Sequence, residues 1–136
     1  MRLLTLFVAL QSLAFALQER FGNEHPLLRG FAKSPTEHIM NEYPDLLSVR
    51  ALRGRITEAG VHDGVPAALI EIKLPSGKVV GARTDRKGSF HLDGIPDGEY
   101  LFKVTRDGFQ SVFGRLKISK REARSPELVF ELKQGI

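Results

Sequence analysis

One stretch restricts the fold more than any other: Thr84-Asp85-Arg86-Lys87-Gly88-Ser89-Phe90-His91-Leu92-Asp93-Gly94-Ile95-Pro96-Asp97-Gly98-Glu99-Tyr100, in which two turns enclose one short strand. Asp85 can fold its carboxylate back onto the backbone N–H groups that follow, and Gly88 accepts the positive φ that closes such a turn. Phe90 and Leu92 alternate with Ser89, His91 and Asp93, the period of a half-buried strand. Pro96, Asp97 and Gly98 repeat the turn chemistry before Tyr100 opens the next strand. A segment of this kind needs partner strands on both sides.

The chain supplies them. From Val49 the sequence alternates, with Leu52, Gly54 and Ile56 on one side and Arg53, Arg55 and Thr57 on the other. Pro66 can begin a strand in which Ala68, Ile70, Ile72 and Leu74 face inward and Leu69, Glu71 and Lys73 face water, and Pro75-Ser76-Gly77-Lys78 turns it back. Val80, Ala82 and Thr84 lead into the organising stretch. Beyond it Tyr100, Phe102 and Val104 point inward, with Leu101, Lys103 and Thr105 outward. Asp107-Gly108 is a hairpin signal, and Phe109 to Ser119 follows with Val112, Leu116 and Ile118 inward. A charged connection leads to Leu128, Phe130 and Leu132. Seven short strands at this turn spacing predict an all-β sandwich over residues 49–133. Phe90, Tyr100, Phe102, Phe130, Ile70 and Ile72 are its expected core.

The first 48 residues read differently. Arg2, the apolar run Leu3 to Leu10 and the small residues of Ala14-Phe15-Ala16 have the form of a signal peptide over 1–16, cleaved after Ala16. The run is shorter than the ~20 apolar residues of a spanning helix, so no transmembrane segment is expected in the mature chain. The expected location is therefore secreted or periplasmic. Residues 17–48 are polar, carry Pro26, Pro35 and Pro44, and predict a mostly irregular N-terminal arm or linker. Within it Ser34-Pro35-Thr36-Glu37 has the form of a capping box, which predicts a short helix near 36–42. The chain of 136 residues contains no Cys, so its stability must come from burial and strand pairing. Its formal charge of +4 falls to +3 with the leader, and its basic residues are scattered among acids, which argues against a nucleic-acid partner.

Leu52-Arg53-Gly54-Arg55-Ile56-Thr57, Asp63-Gly64-Val65-Pro66-Ala67-Ala68, Thr84-Asp85 with Gly88-Ser89-Phe90, Gly94-Ile95-Pro96-Asp97-Gly98-Glu99-Tyr100 and Asp107-Gly108-Phe109 together resemble the carboxypeptidase regulatory-like domain. The resemblance covers about residues 50–133. It implies a transthyretin-like fold, a seven-stranded Greek-key sandwich also grouped with carbohydrate-binding-like folds. Asp85, Gly88, Pro96, Gly98 and Gly108 are then the turns that define it. The family's domain commonly accompanies a peptidase domain or stands in surface proteins, so the resemblance implies an exported module without catalysis of its own.

Tested for chemistry, the sequence yields little. His25, His38, His62 and His91 lack metal-ligand spacing, the Asp residues near turns are explained by Asx turns, and no cofactor motif is present. Val61-His62-Asp63-Gly64-Val65-Pro66-Ala67 looks somewhat like the first His segment of the transthyretin-like hydroxyisourate hydrolase. That enzyme's terminal Tyr-Arg-Gly-Ser has no counterpart in Glu131-Leu132-Lys133-Gln134-Gly135-Ile136, and His62 is more simply a loop residue. For sugar stacking, Phe109 and Phe113 are the outward aromatics, with Phe31 and Tyr43 in the arm. Arg53, Arg55, Arg115 and Lys117 lie outward on strands, as a basic face for a partner or as guards against edge aggregation. The expected function is a non-catalytic module that binds another envelope or extracellular protein. A carbohydrate-binding module with a polysaccharide ligand is the alternative, and a hydrolase comes third.

Overall fold

The computed structural model describes residues 18–20, 26–32, 39–122 and 127–135. The leader-like segment, its cleavage point and the capping-box residues Ser34–Glu37 lie outside these. The described residues form ten strands: β1 (Gln18–Arg20), β2 (Ile39–Glu42), β3 (Leu47–Val49), β4 (Leu52–Glu58), β5 (Leu69–Lys73), β6 (Val79–Arg83), β7 (Ser89–Leu92), β8 (Gly98–Thr105), β9 (Ser111–Ile118) and β10 (Leu128–Leu132), with a 3-10 turn at Pro26–Leu28. They make two open sheets. The larger has the order β1-β2-β9-β8-β5-β6, with β3 also paired to β9, and the smaller has the order β10-β4-β7.

From Leu52 onward, strands stand where alternation places them, and the side chains face as the pattern requires. Leu52, Ile56, Phe90, Leu128, Phe130 and Leu132 of the smaller sheet meet Ile70, Ile72, Tyr100, Phe102, Val104, Val112, Leu116 and Ile118 of the larger in one apolar layer. This is a β-sandwich held by interdigitating inner faces. Phe130 sits at its middle. Its ring lies 4.9 Å from that of Phe102 and 6.4 Å from that of Phe90, with Tyr43 edge-on at 6.1 Å. Such pairings add to the stabilisation that burial alone gives aromatic rings.

The arm departs from expectation. Instead of a mostly irregular linker, it contributes strands to the larger sheet. The helix expected near 36–42 is, over Ile39–Glu42, the strand β2. The reason is the edge of β9. Beyond its antiparallel pairing with β8, β9 runs parallel to β2 through Ser111–Phe113 and to β3 through Leu116–Ile118. Between these two strands the Tyr43 N–H donates to the Phe113 carbonyl at 2.7 Å. A helix of one or two turns is marginal in water, whereas an open strand edge offers ready hydrogen-bond partners. Non-local pairing therefore overrides the local capping signal.

The organising stretch behaves as its residues dictate. Asp85 Oδ1 accepts from the N–H groups of Lys87 and Ser89 at 2.8 and 2.9 Å, and these two bonds, the Ser89 one first, hold its carboxyl below the usual range. Gly88 takes φ +81°, and a Cβ there would stand 2.5 Å from the Ile56 carbonyl oxygen, so a side chain is excluded by both conformation and space. At the second turn the Tyr100 hydroxyl donates to the Pro96 carbonyl, tying the turn to the start of β8, which begins at Gly98. Gly108 lies in the tight turn before β9, where the Phe109 N–H donates to the Arg106 carbonyl at 3.0 Å.

Two substitutions test the packing. Phe102→Asp places a carboxylate at a fully buried position and is expected to prevent folding; an unchanged melting temperature would refute the facing of β8. Phe130→Ala should lower the unfolding free energy in urea by about 3–5 kcal/mol. A loss below about 1 kcal/mol would mean that the two sheets are not joined through this ring.

Candidate functional site

The outer side of the larger sheet carries a second interior. Two rows of side chains cross it. Phe113 on β9 stands opposite Lys103 on β8, which stands opposite Glu71 on β5. Beside them Leu101 on β8 stands opposite Lys73 on β5, and Lys73 opposite Val79 on β6. Residues 26–32 lie over these rows. Leu28 and Phe31 join Met40 and Phe113 in an apolar cluster, flanked by Val79 and Leu101.

Under this cover the sheet holds both main-chain groups of one residue, Ala32. The Ala32 N–H donates to Glu71 Oε1 at 3.0 Å and to Oε2 at 3.2 Å. Lys103 Nζ donates to the Ala32 carbonyl oxygen at 2.7 Å. Farther along, Lys73 Nζ donates to the Leu27 carbonyl at 3.2 Å and lies 5.2 Å from the centre of the Phe31 ring, a cation–π arrangement. The segment folds on itself through the Phe31 N–H, which donates to the Leu28 carbonyl at 3.2 Å. Main-chain groups are held by charge and side chains by apolar contact. That combination holds the chain's own segment on the sheet face.

Burial has electrostatic consequences. Lys103 is 1% exposed and Glu71 8%. Desolvation pulls the Lys103 ammonium down from 10.5 to about 8, partly opposed by the Glu71 charge. Desolvation likewise raises the Glu71 carboxyl above 4.5, opposed by the Ala32 hydrogen bond and by the charges of Lys103 and Arg83. Each ion is costly to bury, and each is compensated by a charge-assisted hydrogen bond to the same residue.

These two residues were missed by the alternation pattern, which assigns Glu71 and Lys103 to water. The pattern contains a hint nonetheless. Leu69, Leu101 and Phe113 fall on the same outward side, more apolar surface than a solvated face needs.

The residues singled out from the sequence are not brought together. Arg53 and Arg55 lie on the outer side of the smaller sheet, and Arg115 and Lys117 on that of the larger, so they form no common basic face. Arg55 donates to the Lys87 carbonyl at 3.3 Å. Phe113, expected outward as a stacking platform, is 1% exposed beneath the arm, a correction that follows from the cover over its face. Phe109 packs partly buried against the main core. His62 lies in a loop, 72% exposed, with Nδ1 3.3 Å from Glu131 Oε2. Among the described residues no three His, Asp or Glu side chains are gathered as a metal ion requires.

The paired charges predict opposite pH dependences. Between pH about 8 and 10.5 the unfolded chain holds the Lys103 proton more tightly than the folded one, so the Lys103 contribution makes stability rise with pH across that window. Glu71 acts in the reverse sense. Its contribution is fully present below 4.5 and is lost as pH rises through its raised folded value. Urea unfolding across this range should show the alkaline rise reduced in Lys103→Met and the fall above pH 4.5 reduced in Glu71→Gln; profiles identical to the parent's would contradict the burial of both groups.

No curated protein matches the chain. The family model of the carboxypeptidase regulatory-like domain matches residues 51–133, more than half of the chain and all of β4 to β10. With the sheet order and the turn chemistry above, this places the protein in the carboxypeptidase regulatory-like domain family, a non-catalytic module of immunoglobulin- and transthyretin-like kind.

Proposed function

We propose that the protein is an exported, non-catalytic module that associates with another protein, in the cell envelope or outside the cell. The observation that supports this reading is the grip of Glu71 and Lys103 on the main chain of Ala32, by which the sandwich face holds a peptide segment, here one of its own. The leader-like residues 1–16 support export. The order β7-β4-β10 against β6-β5-β8-β9 supports reading the family domain as a seven-stranded Greek-key core to which the arm strands are added. Its catalytic contribution is none; its mechanism is to present a rigid face on which a peptide segment is held.

Nothing specific favours sugar recognition. Stacking needs an exposed aromatic ring; Phe31, Tyr43 and Phe113 are at most 7% exposed, and Phe109 is partly buried against the main core.

Two measurements test the reading. Mass spectrometry of protein recovered from the medium or periplasm should find Leu17 as the first residue; a cytosolic product retaining Met1 would overturn export. A photo-crosslinking residue at the exposed position 29, introduced in the producing cells, should yield protein adducts. Retention on a polysaccharide matrix with no protein adduct would replace association by sugar binding.

A further inference from the structure

Where β4 and β10 end together in the smaller sheet, a polar side chain is buried without a partner. Thr57 is 3% exposed, and among the described residues its hydroxyl meets neither donor nor acceptor. Alternation turns Thr57 to the outer side with Arg53 and Arg55, while Ile56 enters the core. The parallel register of β4 and β10 sets Glu131 beside it. Paired strands lie about 5 Å apart, so a side-chain rotation brings the Glu131 carboxylate to the Thr57 hydroxyl. Glu131 is turned elsewhere: its Oε2 stands 3.3 Å from His62 Nδ1. His62 lies in the turn Glu58–Asp63, where its N–H and that of Val61 donate to the Glu58 carbonyl at 2.8 and 3.3 Å. It takes φ +69°, a left-handed conformation, and its ring reaches back to β10.

We propose that Glu131 is a carboxylate with two positions and that the charge on His62 chooses between them. With the imidazole protonated, Glu131 holds the His62 ring and fastens the turn to β10, as in this structure; with the imidazole neutral, Glu131 accepts the Thr57 hydroxyl and lets the ring go.

The two positions compete because each lacks what the other supplies. A buried hydroxyl left without a partner bears the whole loss of its hydration, which favours the Thr57 position at all pH values. The His62 position offers an opposite charge, but only to an imidazolium, and imidazole changes charge between about pH 5 and 8. Once that charge is gone, a neutral hydrogen bond to an exposed ring stands against the buried hydroxyl, and the hydroxyl prevails. Other charged groups on the packed elements are Arg55 and Glu58 of β4, Asp63 of the turn, Lys133 after β10 and Lys87 of the neighbouring turn. Glu58 Oε2 accepts from Gln134 Nε2 at 2.8 Å, and Arg55 donates to the Lys87 carbonyl at 3.3 Å. Among the described residues none of the five makes an ion pair with Glu131 or His62. The exchange is thus between Thr57 and His62 alone. What it governs is the tip of the turn, which carries the exposed Val61: fixed to β10 in acid, released from it as the ring loses its proton.

Nitrogen-15 spectra of the His62 ring in the full chain test the proposal, because they show which ring nitrogen carries the proton. At about pH 8 the neutral ring of the parent should carry it on Nε2, since Nδ1 no longer donates to Glu131. Thr57→Val removes the hydroxyl and keeps the shape, leaving Glu131 no partner but His62, so the neutral ring should carry its proton on Nδ1. Thr57→Ser restores the hydroxyl and should restore the Nε2 form. Amide exchange of Val61 and His62, corrected for the free-peptide rate at each pH, gives a second readout. Protection in the parent should be roughly threefold or more higher at about pH 5 than at pH 8. In Thr57→Val it should be equal at both. In Glu131→Gln, which serves should Thr57→Val fold poorly, protection should be independent of pH. A parent ring protonated on Nδ1 at pH 8, a parent turn equally protected at both pH values, or a Thr57→Val variant indistinguishable from the parent would each overturn the proposal.

Discussion

Two opposite charges holding the two polar groups of one residue set the character of this molecule. Glu71 takes the Ala32 N–H and Lys103 its carbonyl, and both side chains are buried. Buried singly, either charge would cost several kcal/mol, and a sheet face presenting them to a passing apolar segment would repel it. Held together against a main chain that satisfies both, they become a device for position. The apolar cluster supplies the attraction, and the charges decide which residue sits where.

The rest of the fold serves that arrangement. Glu71 and Lys103 stand opposite each other because β5 and β8 pair in one register, and that register is enforced on the inner side, where Ile70, Ile72, Phe102 and Val104 are fully buried. A slip of one residue would send these four outward and bring Glu71 and Lys103 into the core, an exchange no sandwich survives. The inner core thus fixes the outer cluster. The turn at Asp85–Ser89 and the Tyr100–Pro96 bond fix the ends of the strands that carry it.

How much of this is legible in the sequence follows from which interactions are local. Asp85, Gly88 and the Pro96–Gly98 turn announce themselves, because an Asx turn or a positive φ is a property of a few adjacent residues. The strand facing is equally readable, since period two needs only neighbours. What lies over an outward face is different. Glu71 and Lys103 alternate as solvated residues would, and only the company of Leu69, Leu101 and Phe113 hints that the face is covered. The identity of the cover, Leu28 and Phe31, depends on contacts some forty to eighty residues away in the chain. The arm strand at Ile39–Glu42 fails for the same reason in reverse: its capping-box neighbours speak for a helix, and the edge of β9, seventy residues on, decides otherwise. Arg53, Arg55, Arg115 and Lys117 show a third limit. Alternation says each points outward but not that the two pairs lie on different sheets.

The central claim, that the sheet grips the arm by the main chain at Ala32, is tested most directly by amide hydrogen exchange resolved to single residues. The account predicts that the Ala32 amide, bonded to a buried carboxylate, exchanges at least a hundredfold more slowly than in an unstructured peptide of the same sequence, and that Glu71→Ala abolishes this protection while β8 and β9 keep theirs. An Ala32 amide exchanging at the free-peptide rate in the intact, folded protein would contradict it.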